Sequence, residues 1–298
     1  MAGLAVTADG LAKEKAAIAA ERRAAYADHP SGLVARAVQR ALWPNTPEVL
    51  GDVGTATLDD VKRVTRVLVT PRDTTLVIAG NVDAGRALVL AHRYFAWIPA
   101  PELLSQLVHI DRIQHTPAKA SETSAFDPVP KVVVAFRTHA AFAQDELAVE
   151  VAARMLTAPR TGRLQHVLVD AGLATEVHAD IVRQRLGGDV RFVATAAPGA
   201  DLHRLATTMR DAIVHLRDVE QPADEVERAA TAVEAELVAN LENLAVRADM
   251  IAAWATAMGG GADQLHDIRM FVHVTPPQLH TIVDYWLAPG AAVTVIGR

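Results

Sequence analysis

The chain has 298 residues, 51% of them hydrophobic and 4% aromatic, with a formal net charge of -6. That is ample apolar material for one or two packed cores, and charges of both signs are scattered, so neither disorder nor a basic nucleic-acid footprint is expected. With no cysteine, disulfides, thiolate catalysis and Cys-ligated zinc are excluded, and any metal would need His, Asp or Glu.

The first ten residues lack a basic n-region and carry too short an apolar run for a signal peptide, and no apolar stretch has the length of a membrane span. A cytoplasmic chain with no membrane partner is expected if Met1 is the true start; a periplasmic or secreted one stays open if sequence precedes it. Residues 8–27 read as one helix, with Asp9 as a candidate N-cap and His29-Pro30-Ser31-Gly32 breaking it. A second helix is expected from Leu33 to Leu42, then an irregular stretch with Pro44, Pro47, Gly51 and Gly54. Thr57-Leu-Asp-Asp caps a helix through Val67, Pro71 turns the chain, and Thr75–Gly80 reads as a buried strand. A helix over Asp83–Tyr94 follows.

Residues 114–130, rich in Ser, Thr, Pro, Lys and Glu, have the composition of an exposed connector, which sets domains at 1–113 and 131–298. After it come a strand at Lys131–Phe136, a helix at about 144–156, the loop Pro159-Arg-Thr-Gly-Arg163 and a short helix to Asp170. Strands at Thr175–Arg185 and Val190–Ala197 are joined by Gly187-Gly188 as a hairpin. Helices are expected at 201–217, 222–242, 244–258 and 276–287, and a last strand at Ala292–Ile296. Gly259-Gly-Gly261 follows a helix and not a strand, so it is a C-cap and loop and no phosphate cradle. There is no Gly-x-Ser-x-Gly elbow.

On the first helix, Glu14 and Glu21 stand seven residues apart, close to two turns, in the same arc as Leu11 and Ile18. Their neighbours three and four positions away are Gly, Ala, Leu and Ile, so no local base offsets them. Either the acid face is solvated, or it faces inward and takes its counter-charge from a cation, a metal or a hydrogen-bonding cluster.

The chain also repeats itself. Thr57–Gly80 aligns with Thr275–Gly297 through the Thr, the Pro fourteen residues on, and the closing Ile-x-Gly or Ile-Gly. Ala8-Asp9 aligns with Ala223-Asp224, which sets Glu21 opposite Glu236 and Glu14 opposite Ala229. The fold class expected is therefore α+β, two related α/β sandwich units, the first without a counterpart of residues 130–215.

Several segments in this order resemble the M16 zinc metallopeptidases, the family of pitrilysin, insulinase and the mitochondrial processing peptidase. They are the Glu-x6-Glu helix, Leu58-Asp-Asp60-Val61 after the glycines, Leu76-Val-Ile-Ala-Gly80-Asn-Val-Asp83, Tyr94-Phe95-x-x-Ile98-Pro99, Gly162-Arg163-Leu164 and Ala171-Gly-Leu-Ala174. The resemblance implies two duplicated metallopeptidase-type domains, a zinc cofactor and a peptide substrate. It sets Glu21 at the third zinc ligand and Glu14 at the supporting acid. In that family the other ligands and the base form His-x-x-Glu-His on an earlier helix, with the glutamate acting on a metal-bound water.

None of the twelve histidines here has another at i+4, so that motif is absent. His92, His109 and His115 are single imidazoles. The expectation is a chain that alone has no catalytic residue, holds zinc poorly and does not hydrolyse peptides. The family also implies an arginine and a tyrosine that contact peptide. Arg163 matches the arginine and Thr175 stands at the tyrosine position; equally, Arg163 could be a loop residue paired with Asp170 or Glu176. The functional alternatives are a fragment of a peptidase, a peptide-binding subunit beside a zinc-bearing homologous chain or in a homo-oligomer, and a structural assembly subunit.

Overall fold

The computed structural model describes residues 5–44, 53–68, 74–98, 117–141, 143, 146–184, 187–258 and 274–298. Expectations for Pro47, Gly51, Pro71, Pro99, His109, His115 and Gly259–Gly261 lie outside them. The chain divides into two compact units, one of Met1–Ala20, Asp52–Asp111 and Glu236–Ile268, the other of Glu21–Gly51, Arg112–Ala235 and Arg269–Arg298.

In the second of these units the four strands predicted from sequence join a fifth, Ser121–Ala125, which lies inside the stretch read as an exposed connector and pairs with the last strand, in one mixed sheet. Its strands are β1 (Ser121–Ala125), β2 (Lys131–Thr138), β3 (Ala174–Val182), β4 (Gly188–Ala196) and β5 (Val293–Gly297), in the order β1-β5-β2-β4-β3. β1 runs parallel to β5, and the other neighbours are antiparallel, with Val132 facing Ile296 and Phe136 facing Val190. Successive side chains of a strand point to opposite faces. Accordingly Val132, Val134 and Phe136 enter the larger core while Val133 and Ala135 enter a smaller one on the other face.

Helix α2 (Gly32–Leu42) covers the smaller core with Val34, Val38 and Leu42. The larger core is closed by α5 (Glu146–Thr157), α6 (Leu202–Asp218), the first turns of α7 (Ala223–Glu242) and α9 (Pro276–Trp286). A Cβ on Gly188 would meet three oxygens, those of His139, Thr138 and Val182, at 2.7–2.8 Å, so the start of β4 accepts only glycine without a shift of its neighbours.

The other unit contains most of α1 (Ala8–Arg22), then α3 (Leu58–Leu68), α4 (Ala84–Phe95) and α8 (Leu244–Met258). A π-helical turn, Arg23–Ala27, continues α1. Thr7 and not Asp9 caps α1: its hydroxyl accepts from Gly10 N at 3.1 Å. Asp83 caps α4 by accepting from Arg86 N at 2.7 Å.

In this unit the solvated reading of the acid arc on α1 holds, and the strand expected at Thr75–Gly80 does not form among the described residues. α1 buries no residue, so the arc of Leu11, Glu14, Ile18 and Glu21 is not an inward stripe. Residues 74–79 join no ladder, and Leu76 and Ile78 are about half exposed, at 53% and 49%, where a buried strand was expected. Among the described residues, no helix is long and apolar enough to cross a membrane.

Candidate functional site

The best-defined polar site surrounds Arg163. α5 ends at Thr157, and the chain turns back through Arg160, which has a positive φ of 69°. Gly162 donates from its N to Ala158 O at 2.7 Å. A Cβ there would lie 2.6–2.7 Å from backbone atoms of Ala158 and Leu156, so only glycine lets the turn close this tightly. This closure sets Arg163 beside the junction of α6 and α7.

Arg163 Nη2 donates to Gln221 Oε1 and lies 3.4 Å from Glu225 Oε2. Gln221 is buried and locked by its own amide, which donates to Leu216 O at 2.9 Å and to Val219 O. The other terminal nitrogen, Arg163 Nη1, is buried without an acceptor among the described residues. A guanidinium held by one nitrogen has donors left for a carbonyl or carboxylate oxygen, and leaving a buried donor unmet is costly.

The sequence-level alternative partners of Arg163 are engaged elsewhere. Asp170 pairs with His166 at 2.8 Å, and Glu176 lies 4.0 Å from His178. Thr175 sits exposed on β3, its hydroxyl 3.4 Å from Thr195 O. Gln221 and Glu225 were missed because they lie 58 and 62 residues from Arg163 and no local pattern marks them.

Glu14 and Glu21 are both exposed on α1, and His92 is exposed on α4. Among the described residues, no three His, Asp or Glu side chains come together in a way that could hold a metal. Zinc needs at least three protein ligands. The donors among the described residues therefore do not fit a zinc site.

Residues 55–233 match the family model for the peptidase M16 inactive domain. No curated protein matches the chain. Among solved structures, a protease from Helicobacter pylori superposes with a TM-score of 0.82 at 18% identity, covering 99% of this chain and 73% of that one. An M16-like peptidase from Alicyclobacillus acidocaldarius gives 0.78 at 18% identity, with 99% and 72% covered. A peptidase M16 inactive domain from Pseudomonas fluorescens gives 0.69 at 14% identity, with 98% and 70% covered. These likenesses concern the fold.

Proposed function

The chain belongs to the family of the peptidase M16 inactive domain, and from that premise we propose that it is a non-catalytic, peptide-holding member that acts beside a zinc-bearing chain. The observation that carries peptide holding is the free donor of Arg163. One nitrogen is fixed by Gln221, Nη1 has no acceptor among the described residues, and a quarter of the side chain stays exposed. A guanidinium pre-oriented in this way pairs with a peptide carbonyl or terminal carboxylate at a small entropic cost.

The non-catalytic part rests on the inactive-domain match and on the missing His-x-x-Glu-His pattern. In this reading zinc belongs to the other chain, and Glu14 and Glu21 are remnants of a metal-supporting helix. The test is a fluorescence titration with a labelled peptide. Saturable binding that Arg163→Ala weakens by about tenfold, the worth of one charged hydrogen bond, is expected. Equal binding by the wild type and Arg163→Ala would remove the proposal.

A further inference from the structure

Arg163 and Glu225 form a balanced pair. Among the described residues Glu225 is the one carboxylate within ion-pair distance of Arg163, and Arg163 is the one cation within that distance of Glu225. The guanidinium therefore shows a ligand little net charge, while it still shows it a hydrogen-bond donor. Both partners are held in place. Buried Gln221 donates to Leu216 O and Val219 O and accepts from Arg163 Nη2, and the first turn of α7 fixes the backbone of Glu225, whose N donates to Pro222 O at 3.1 Å.

A carboxylate gains over a carbonyl at an arginine in two ways, through its full charge and through two parallel N–H bonds. Both advantages are withheld here. Each bidentate edge of a guanidinium uses Nη2, either with Nε or with Nη1, and Nη2 is already shared between Gln221 Oε1 and Glu225 Oε2. What remains is Nη1, which has no acceptor among the described residues, on a side chain that keeps 25% of its surface exposed. A carboxylate bound there would also stand near the Glu225 carboxylate in partly buried surroundings, where like charges repel. A neutral carbonyl oxygen meets neither obstacle.

We propose that Glu225 is a specificity-determining residue of the Arg163 site: with Nη2 occupied and its charge offset, Arg163 takes an uncharged carbonyl from the interior of a peptide and turns away a free terminal or side-chain carboxylate. Glu225 acts by weakening the wrong ligand and adds no contact to the right one. The inference rests on the peptide-holding reading of Arg163 and narrows it, since that reading admits either kind of oxygen.

The test uses the full chain and two labelled peptides of one sequence without Asp or Glu, both acetylated at the N-terminus, one ending in a carboxylate and the other in an amide. Titration by fluorescence polarisation gives the ratio of their affinities. The wild type is expected to bind the amide at least as tightly as the free acid, and Arg163→Ala to weaken both about tenfold. Glu225→Gln is expected to tighten the free acid about tenfold and to leave the amide unchanged. Asp224→Asn, at an exposed acid one residue away that pairs with Arg228, is expected to keep the wild-type ratio. Both peptides are read on the same protein, so a variant that only loses stability moves the two affinities together, and urea unfolding verifies that Glu225→Gln is folded. A wild type that prefers the free acid, a ratio indifferent to Glu225→Gln, or an equal shift with Asp224→Asn would each overturn the selection while leaving peptide holding by Arg163 intact. Binding of both peptides that ignores Arg163→Ala removes the peptide-holding reading and the selection with it.

Discussion

Arg163 Nη2 stands 3.4 Å from Glu225 Oε2, joining the loop after α5 to the first turn of α7. Both side chains are partly exposed, so this ion pair contributes little, and the bond to buried Gln221 contributes more. Arg163→Ala is expected to cost about 1–3 kcal/mol, by leaving the Gln221 oxygen without its donor. Glu225→Gln should cost less than about 1 kcal/mol. Urea unfolding of the two variants measures the difference.

Asp189 is buried at the end of the β3–β4 hairpin and takes bonds from Trp43 Nε1 at 3.3 Å and from two nitrogens of Arg191. Beside it Arg137 lies over the Trp43 ring at 4.7 Å and donates to Leu42 O at 2.6 Å, where burial pulls its pKa below the ordinary arginine value. Asp189→Ala removes the carboxylate that takes bonds from Trp43 Nε1 and two Arg191 nitrogens, while Arg191 Nη2 keeps Gln39 Oε1 at 3.2 Å, a loss of about 3 kcal/mol. Asp189→Asn keeps a carbonyl acceptor and should cost less. Thermal unfolding followed by Trp fluorescence compares them.

The two repeated caps respond differently to acid. The Thr57 hydroxyl and backbone N–H bond the Asp60 carboxylate and hold its pKa below the usual aspartate value. Its stabilisation is therefore complete above the unfolded pKa and is lost as pH falls through the lower folded value. Gln278, in the same place at α9, does not titrate. A carboxyl-carbon NMR titration should report a depressed Asp60 pKa, and Asp60→Asn should remove the acid-dependent fraying of α3 while leaving α9 unchanged.

Gly162→Ala would drive a methyl group into the Ala158 backbone. The loop must shift, at a cost of about 1–3 kcal/mol. Because Arg163 is the next residue, this variant should lose peptide binding along with stability. A Thr161→Ala control changes the neighbouring exposed side chain alone and should keep both. Parallel denaturation and peptide titration test this.

The sheet unit was legible because its signals are local. β2 is a continuous apolar run buried on both faces, the Gly187-Gly188 pair sits at the expected hairpin, and the helix expected near 276–287 forms as α9. The surroundings of Arg163 were illegible because Gln221 reaches it only through the packing of α6 and α7 on the sheet. Helical period put Glu14 and Glu21 in one arc with Leu11 and Ile18, but period alone does not decide burial, and α1 buries nothing. Thr75–Gly80 has the composition of a strand, yet a strand exists only with a neighbour to pair with.

The most direct measurement incubates the purified full chain with stoichiometric zinc and a quenched fluorescent peptide, reading binding by polarisation and cleavage by dequenching. Binding without cleavage, at every zinc concentration, is the expected result. Cleavage by the chain alone that a chelator abolishes would contradict the account, since it would require a catalytic metal site in a chain that has no His-x-x-Glu-His.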